Sequence, residues 1–481
     1  DMHHPHRPWR ILAGALLLAL VATPWIAGCD FLRSSDDTTP LTPTPVGPID
    51  LRYPLQFVDG RYLADASGTP VFLSGDAAWS AIANLTREEM VRYLDDREAR
   101  GVNAVYVNLI EAAFSNQTPP HTNVYGDPPF DAILDSNDLE LDFTTPNEAY
   151  WTLVDDFLAY AEARGIVVFA FPAYAGWQQG NDGWGSGIDA NGPDNLRTYG
   201  TFLGARYRTQ PNIVWAAGGD WGPTGPFDLV AEYDALKGGI QDAGASQLWT
   251  GHGGQESGVD VYGYLGLDMN TTYRYPPQQV PEAVINDYFR DDRLPFVFFE
   301  GYYEGEFDVT PRELRYQAYI SILGGAFGHF YGNSPIWFFG DGWEDALDAP
   351  GARSMTHLAS LMRSRPFARL IPDYEFEPES ALRGGRGDLD TGYAVISVAN
   401  DGSSLVAYAP DERAITLDLS VLADDTAQLW CFDPATGAST DLGTGTGTQT
   451  FEACASSEDY VIVADAASRD FAAPGTRRFS E

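Results

Sequence analysis

The apolar positions between residues 51 and 373 form short runs that alternate with amphipathic stretches, a pattern that predicts strands followed by helices. Eight of these runs read as buried strands. They span residues 71–76, 104–109, 166–172, 212–219, 247–252, 267–273, 295–300 and 329–333. Eight strand–helix units over about 300 residues favour an α/β fold of the (β/α)8 TIM-barrel type over an open doubly wound sheet, which usually carries a glycine-rich phosphate-binding turn.

Capping boxes predict where three of the helices begin. In each box, a Thr side chain and the Glu three residues later satisfy each other's backbone N–H groups. The three boxes are Thr86-x-x-Glu89, Thr145-Pro146-x-Glu148 and Thr310-Pro311-x-Glu313. Gly101 and Gly165 predict two helix ends, because glycine readily adopts the left-handed backbone that often follows a last helical turn.

After residue 373 the pattern changes to short alternating runs separated by Gly, Asp, Pro and Thr, which predicts a small β-sandwich over residues 374–467. The runs span residues 393–399, 404–408, 414–419, 427–432 and 460–464. Residues 468–481 are predicted to form a loose tail. Cys431 and Cys454 predict a disulfide if the protein is exported, and two buried free thiols are the alternative.

The N-terminal 28 residues predict a secretory signal peptide, because Arg7 and Arg10 precede an apolar stretch that is shorter than a membrane span. This stretch leads to Ile26-Ala27-Gly28-Cys29, which resembles a bacterial lipobox and predicts that Cys29 carries lipid. An ordinary leader with a chance cysteine is the alternative. Residues 29–50 are rich in Thr and Pro and predict an extended tether. We therefore expect an exported protein that is lipid-anchored in the bacterial cell envelope and contacts the membrane only through that anchor.

Charge and composition exclude several functions. The 481 residues include 68 Asp and Glu against 29 Lys and Arg, a formal net charge of −39 that excludes a nucleic-acid partner. Lys237 is the only lysine and lies in a predicted helix, which excludes Schiff-base chemistry. The chain lacks the H-E-x-x-H and G-x-S-x-G motifs and its histidines are scattered, so we expect neither a metal site nor a serine nucleophile. No cofactor is predicted.

The candidate chemistry lies just beyond the predicted barrel strands, because a (β/α)8 barrel carries its site at their carboxyl ends. The side chains there are mostly acidic and aromatic, which suits sugars, whose ring faces stack on aromatics while their hydroxyls bond to charged groups. The predicted substrate-binding residues are Asp76, Trp79, Asn108, Tyr174, Trp221, His252, Tyr273, Tyr303, Glu304 and Trp337.

Asp220 and Glu300 are the best candidates for catalysis. Each follows a hydrophobic run predicted to lie inside the barrel, so each carboxyl is expected to emerge at the barrel mouth. Cleavage of a glycosidic bond needs two such groups, one protonated and one ionised. The alternative for any single acid in so acidic a chain is a solvated surface charge.

Four segments resemble the apiosidase-like glycoside hydrolases, glycoside hydrolase family 140 and its relatives. They are Gly75-Asp76-Ala77-Ala78-Trp79, residues 97–103, Pro211-Asn212-Ile213-Val214-Trp215 with Gly218-Gly219-Asp220, and Ser364-Arg365-Pro366-Phe367 through Pro372-Asp373. The resemblance implies a (β/α)8 glycosidase with Asp220 as acid/base and Glu300 as nucleophile. Glu304 is the alternative nucleophile. The following domain, with Trp430-Cys431-Phe432-Asp433-Pro434 and Gly437, is similar to a small β-sandwich often labelled a collagen-binding domain.

These observations predict a glycoside hydrolase that acts on a polysaccharide or its side chains. The positions of Asp220 and Glu300, after the fourth and seventh strands, favour a retaining double displacement. Two alternatives remain open. One is a surface lipoprotein that binds glycans without cleaving them, and the other is a protein whose C-terminal sandwich is the operative adhesive module.

Overall fold

The computed structural model describes residues 51–114, 117, 121–134, 140–177, 182–221, 226–255, 257–374, 380–389, 392–454 and 458–479. The predicted signal peptide, the tether and Cys29 lie outside the described residues, and so does the side chain of Trp221. Among the described residues, no helix combines the length and the apolar character that a membrane crossing requires.

Eight parallel strands follow an antiparallel hairpin and form one sheet in the order β7-β6-β5-β4-β3-β10-β9-β8. The hairpin is β1 Gln56–Val58 and β2 Tyr62–Ala64, and the sheet strands are β3 Leu73–Ala77, β4 Ala104–Asn108, β5 Val167–Phe171, β6 Ile213–Trp221, β7 Trp249–Gly253, β8 Asn270–Tyr273, β9 Phe296–Glu300 and β10 Gly328–Tyr331. The two outer strands meet where Asp268 N donates to Trp249 O over 2.9 Å, which nearly closes the ring. The predicted (β/α)8 barrel is therefore confirmed.

Helices surround this ring, and most of them connect one strand to the next. They are α1 Ala81–Asn84, α2 Arg87–Ala99, α3 Glu148–Glu162, α4 Gly185–Tyr207, α5 Val230–Asp242, α6 Gly258–Tyr262, α7 Val280–Tyr288, α8 Pro311–Leu323, α9 Ser334–Trp337, α10 Trp343–Ala346 and α11 Pro350–Arg363. Helix α4 is kinked at Gly192, whose φ of 65° and ψ of 176° are not helical and which precedes Pro193.

Two of the three predicted capping boxes are confirmed, at Thr86 before α2 and at Thr310 before α8. The box predicted at Thr145 is wrong. Helix α3 begins later, and the side chain of Asn147 caps it by accepting a hydrogen bond from Ala149 N. The Thr145 hydroxyl instead accepts from Ala132 N over 3.1 Å, because the preceding loop folds back onto it. The two predicted helix ends are confirmed, because Gly101 and Gly165 adopt φ of 82° and 65° just after α2 and α3.

The barrel interior is filled by large aromatic side chains. Tyr106 stacks on Phe299 with ring centroids 4.6 Å apart, and Phe330 packs against both Phe299 and Phe169. This filling requires a glycine on β3, because a Cβ at Gly75 would lie 2.2 Å from the Phe330 ring. The interior is therefore a packed core rather than a pore, and ligands are confined to its ends.

A second region of antiparallel strands follows. Its six-stranded sheet has the order β11-β13-β14-β19-β16-β17, and its three-stranded sheet has the order β12-β15-β18. The strands are β11 Leu370–Pro372, β12 Leu382–Gly384, β13 Val395–Ala399, β14 Ser404–Ala409, β15 Ile415–Asp418, β16 Ala427–Phe432, β17 Ser439–Gly445, β18 Thr448–Phe451 and β19 Tyr460–Ala466. The predicted sandwich is confirmed. Strands β11, β12, β17 and β18 have no counterpart among the predicted runs of this region. β11 lies before residue 374 and yet pairs with β13, so the sandwich sheet begins earlier in the chain than predicted. The mainly exposed polar residues of β17 and β18 lack an apolar alternation.

A disulfide joins Cys431 to Cys454 in this region, across a sequence separation of 23 residues. Part of the segment predicted to be a loose tail is hydrogen-bonded to the rest of the protein. Gly475 N donates to the Ser364 hydroxyl over 3.0 Å, and the Ala472 carbonyl accepts from the Arg365 guanidinium over 3.1 Å. These backbone hydrogen bonds tie the end of the chain to the segment that follows α11.

Buried ion pairs join the barrel to the sandwich. The Arg315 guanidinium on α8 donates to both carboxylate oxygens of Asp459, with the shortest bond at 2.6 Å. Arg365 makes a similar two-oxygen contact with Asp465, and the closer bond is 2.7 Å. All four side chains are at most 6% exposed. Such fork-to-fork pairs fix geometry as well as charge, so the two regions dock in one defined way.

Candidate active site

Asp220 and Glu300 lie at the carboxyl ends of β6 and β9, as the sequence predicted. The two glycines before Asp220 allow β6 to bend there, with φ of 88° at Gly218 and 102° at Gly219. Neither position has room for a side chain, since added Cβ atoms would lie 2.2 Å from the Tyr262 hydroxyl and 2.0 Å from the Tyr174 ring. The Gly-Gly-Asp sequence is therefore what this bend requires, and it turns the Asp220 carboxyl toward the mouth.

His252, at the end of β7, stands beside both carboxyls. Its Nε2 lies 2.8 Å from Glu300 Oε2 and 4.0 Å from Asp220 Oδ1. One ligand atom from each of the three side chains lies within 4.8 Å of the other two. His252 is fully buried, and Glu300 is 6% exposed. The three side chains thus form one compact, largely desolvated cluster at the barrel mouth.

The two carboxyls have different hydrogen-bond partners. Glu300 Oε1 accepts from the Tyr275 hydroxyl over 3.4 Å, and Oε2 faces His252. Asp220 Oδ2 accepts from the Tyr174 hydroxyl over 2.7 Å. Its Oδ1 is buried 4.0 Å from His252 Nε2 and has no hydrogen-bond partner among the described residues. Glu300 therefore has a partner at each oxygen, and Asp220 has one at a single oxygen.

Burial changes the protonation of this cluster. It raises the pKa of both Glu300 and Asp220, and the negative charge of Glu300 raises that of Asp220 further. Burial also lowers the pKa of His252 to about 4, so the imidazole is neutral at pH 7. Two carboxyls this close, without a cation between them, do not ionise together easily. The pair therefore retains a proton at pH values where exposed carboxyls have lost theirs.

Aromatic residues predicted to bind substrate surround the pair. Trp79 Nε1 donates to the Tyr303 hydroxyl over 3.0 Å, and a hydrogen bond from Tyr303 counteracts part of the rise in the pKa of Glu300. Tyr273 stacks on His252 with ring centroids 4.9 Å apart. The Trp79 ring also packs 5.4 Å from the ring of Tyr174. The structure thus brings together five of the predicted binding residues, which are Trp79, Tyr174, His252, Tyr273 and Tyr303.

Other predicted binding residues are engaged elsewhere. Asp76 is fully buried and accepts hydrogen bonds from the Tyr93 hydroxyl and the Arg97 guanidinium, over 2.7 and 3.2 Å. Glu304 accepts from Gly351 N, over 3.0 Å to each oxygen, in the first turn of α11. Both carboxylates are therefore held by the protein itself. Glu304 caps a helix and is not turned toward Glu300.

Asn108 and Trp337 form hydrogen bonds to acids other than Asp220 and Glu300. The Asn108 amide donates to Glu111 over 3.3 Å, and burial raises the pKa of that carboxyl to about 7. Trp337 Nε1 donates to Glu306 over 3.1 Å. Trp221 belongs to the end of β6, and its side chain lies outside the described residues.

Two residues of the site were not predicted from the sequence. Tyr275 contacts Glu300 directly, and Tyr106 lies 2.6 Å from Tyr303, hydroxyl to hydroxyl. The spacing of Tyr273 and Tyr275 was an available signal, because residues two apart along an extended segment project to the same side. Tyr106 gave no such signal in the sequence, because it lies within an apolar run of the kind that fills the interior of a barrel.

Asp220, His252 and Glu300 also form the one group of three ligand-type side chains, among the described residues, that is close enough to hold a metal ion. One imidazole nitrogen and two carboxylate oxygens would suit a transition metal. Two adjacent carboxyls are also what the cleavage of a glycosidic bond requires. A chelator therefore distinguishes the two chemistries.

Residues 58–369 match the family model described as "Apiosidase-like, catalytic domain". Residues 386–465 match the model described as "Putative collagen-binding domain of a collagenase". No curated protein sequence matches the chain. The first match extends over more than half of the chain and agrees with the resemblance found in the sequence motifs.

Two solved structures share the whole arrangement of barrel and sandwich. One is titled "Glycoside hydrolase" and has 24% identity and a TM-score of 0.73, with 88% of this chain and 98% of that chain covered. The other, from Bacteroides vulgatus ATCC 8482, is described as a glycoside hydrolase of family 5. It has 23% identity and a TM-score of 0.73, with 87% of this chain and 95% of that chain covered. At these identities the likeness shows the fold.

Proposed function

The chain belongs to the apiosidase-like family and is a glycosidase, and from this premise we propose that Asp220 and Glu300 cleave the glycosidic bond with retention of configuration. The proposed substrate is a polysaccharide or one of its side chains. Apiose is the sugar that the family description suggests, and the aromatic residues around the pair support a sugar ring at this position.

The separation of the two carboxyls is the observation that carries this proposal. Ligand oxygens of Asp220 and Glu300 lie within 4.8 Å of each other. Retaining glycosidases hold their carboxyls about 5–5.5 Å apart, whereas inverting ones leave about 6.5–9.5 Å for a water molecule. The short separation favours direct attack by one of the two carboxylates.

Hydrogen bonding supports an assignment of roles. Glu300 receives hydrogen bonds from Tyr275 and Tyr303 and faces Nε2 of a neutral His252, and donors favour its ionised form. Burial raises the pKa of Glu300 to about 8 and that of Asp220 to about 7, so both retain a proton readily and the assignment of the acid/base role to Asp220 rests on its Gly-Gly-Asp motif. In the first step, Glu300 attacks the anomeric carbon while Asp220 protonates the departing oxygen, which leaves a covalent glycosyl-enzyme. In the second step, Asp220 removes a proton from water, and that water displaces Glu300.

A glycan panel tests the proposal. Reducing-end release from soluble plant and bacterial polysaccharides, and from 4-nitrophenyl glycosides, would be measured for the wild type, Glu300→Gln and Asp220→Asn. Both variants should lose activity and keep the melting behaviour of a folded protein. An azide-rescued Asp220 variant that forms a glycosyl azide of retained configuration would support Asp220 as the acid/base of a double displacement, and a glycosyl azide of inverted configuration would instead make Asp220 the nucleophile.

The same panel separates a glycosidase from a glycan-binding surface protein. Affinity electrophoresis that shows binding, without reducing-end release by the wild type, would favour the binding protein. Activity that disappears in EDTA and returns with added metal would show instead that Asp220, His252 and Glu300 work as metal ligands.

We also propose that the protein is exported and anchored by lipid at Cys29. The leader pattern and the lipobox-like sequence before Cys29 support this proposal, and the Thr/Pro-rich segment to residue 50 would serve as a tether. Mass spectrometry of the N-terminus of the protein isolated from membranes tests it. A diacylglyceryl group on Cys29 is expected, and an intact leader would contradict the proposal.

A further inference from the structure

Three aromatic rings form a row that runs from Glu300 to the protein surface. Tyr275, whose hydroxyl contacts Glu300, has its ring 4.9 Å from that of Tyr302 and 6.2 Å from that of Phe307. Tyr302 and Phe307 are stacked, with centroids 5.2 Å apart and planes inclined by 23°. We call these three residues the mouth row.

The outer end of the mouth row is unusually exposed. Phe307 is 69% exposed, the highest value among the described large hydrophobic residues. Its backbone has φ of 51°, and that of Asp308 has φ of 55°. Left-handed backbone is uncommon for a bulky residue and is typical of functional sites, where the surrounding structure enforces it.

The loop that carries Phe307 is firmly held. The buried Gln317 side chain on α8 accepts from Tyr302 N and donates to Tyr302 O, both over 3.1 Å. Further along, Glu306 N donates to Tyr303 O over 3.1 Å, and Val309 N donates to Glu306 O over 3.0 Å. These hydrogen bonds hold the backbone of the loop at its start and its end, so the position of Phe307 in the fold is defined without a ligand.

A carboxylate lies close to the mouth row, because the pKa of Tyr275 is raised by burial, by Glu300 and Asp220, and also by the charge of Glu306. Glu306, next to Phe307 in the chain, is half-buried and accepts a hydrogen bond from Trp337 Nε1 over 3.1 Å. An aromatic face with a carboxylate at its edge matches the chemistry of a sugar ring, whose C–H face packs on the aromatic while its hydroxyls donate to the carboxylate. A docking surface for a protein would be expected to be a wider apolar patch than one exposed ring.

We propose that the mouth row is a sugar-binding subsite separate from the position of bond cleavage. It takes one sugar unit of an oligosaccharide or polysaccharide through stacking on Phe307 and Tyr302, with Glu306 accepting a hydroxyl hydrogen bond. This inference rests on the proposed function, and it narrows the substrate to a chain that extends beyond the two sugars joined by the cleaved bond.

Phe307→Asn is the variant that tests the subsite. Asn tolerates the left-handed backbone at this position, so the ring is removed while the loop conformation is kept. Phe289→Asn is the matched control, because Phe289 is also an exposed phenylalanine, at 49%, and lies at the end of α7 next to Tyr288 and Tyr374. Both variants would be compared with the wild type on a polysaccharide that it cleaves and on the 4-nitrophenyl glycoside of the released sugar.

We expect Phe307→Asn to lower kcat/KM on the polysaccharide by about tenfold, mainly through KM, and to leave the small glycoside within about twofold. Phe289→Asn should match the wild type on both substrates. An unchanged polysaccharide KM in Phe307→Asn would overturn the proposal, and so would an equal loss on both substrates, because either result places the ring outside a distal subsite.

A binding measurement keeps this test separate from the proposed chemistry. Affinity electrophoresis in gels containing pectin, xylan, mannan or galactan would be run on Glu300→Gln, alone and combined with Phe307→Asn or Phe289→Asn. Reduced retardation with Phe307→Asn alone supports the subsite even if the wild type proves not to be a hydrolase. Equal retardation of all three proteins, or none in any gel, would overturn the subsite whether or not hydrolysis is observed.

Discussion

Two regions of the molecule bury carboxylates, and they satisfy them in different ways. At the barrel–sandwich interface, Asp459 and Asp465 each receive paired hydrogen bonds from an arginine. At the barrel mouth, Asp220 and Glu300 lie beside a neutral His252, and Asp220 Oδ1 has no partner. The first arrangement compensates charge and fixes the docking of two regions. The second leaves charge and hydrogen-bonding capacity available for a substrate.

The role of a buried acid in this protein can be interpreted from the groups that its carboxylate contacts. A buried carboxylate that pairs with a guanidinium compensates the charge of that cation, and its removal leaves the cation buried without its partner. A carboxylate that meets another carboxyl has a raised pKa, and its removal relieves repulsion. The two regions should therefore respond in opposite ways to the same kind of substitution.

The largest expected effect is the loss of catalysis at the mouth. Asp220→Asn removes the group that protonates the departing oxygen, so kcat should fall by about a thousandfold. The melting temperature should stay the same or rise, because one of two adjacent buried acids is gone. Kinetics and thermal unfolding of the same preparation measure both. A variant that is active, or one that is inactive only because it unfolds, would contradict the proposed role.

The interface should show the opposite behaviour. Asp459→Asn leaves the buried Arg315 guanidinium without its anionic partner, and we expect a loss of about 3–5 kcal/mol in the free energy of unfolding. Below the lowered melting temperature, kcat should remain close to the wild-type value. Denaturant unfolding with activity measured in parallel checks this. A selective loss of kcat in the folded variant would show that the interface also shapes the site.

The pH dependence of stability sharpens the contrast. Because burial raises the pKa of Asp220 above its unfolded value, the folded state binds the proton more tightly, and this contribution is complete below the unfolded pKa. It is lost as pH rises toward the folded value. The melting temperature of Asp220→Asn should therefore increase relative to the wild type between the unfolded pKa, about 4, and the folded pKa, about 7. A difference that is constant with pH would contradict a raised pKa.

The smallest expected effect concerns Glu304, the acid closest in sequence to the proposed nucleophile. Glu304→Gln weakens the hydrogen bonds to Gly351 N at the start of α11, so stability should fall by about 1 kcal/mol. Its kcat should stay within about twofold of the wild type. Glu300→Gln is the matched comparison, and inactivity of the Glu304 variant would transfer the nucleophile role to Glu304.

Much of the site was available in the sequence, because a barrel orders its catalytic side chains by strand ends. The apolar run 295–300 placed Glu300 at the mouth, and Gly218-Gly219 before Asp220 indicated a bend. What misled prediction was the assumption that every polar group after a strand faces the substrate. Asp76 and Glu304 follow strands too, yet Arg97 and the first turn of α11 engage them from elsewhere in the chain.

Local periodicity and glycine placement therefore predicted the element order, the (β/α)8 barrel followed by a sandwich, and the two carboxyls at the mouth. Contacts between distant segments of the chain determine which acids are paired, which are not, and where Tyr275 and Phe307 lie. The physical reason is that hydrogen bonds, ion pairs and pKa shifts depend on groups far apart in the chain, and folding alone brings those groups within a few ångströms of one another.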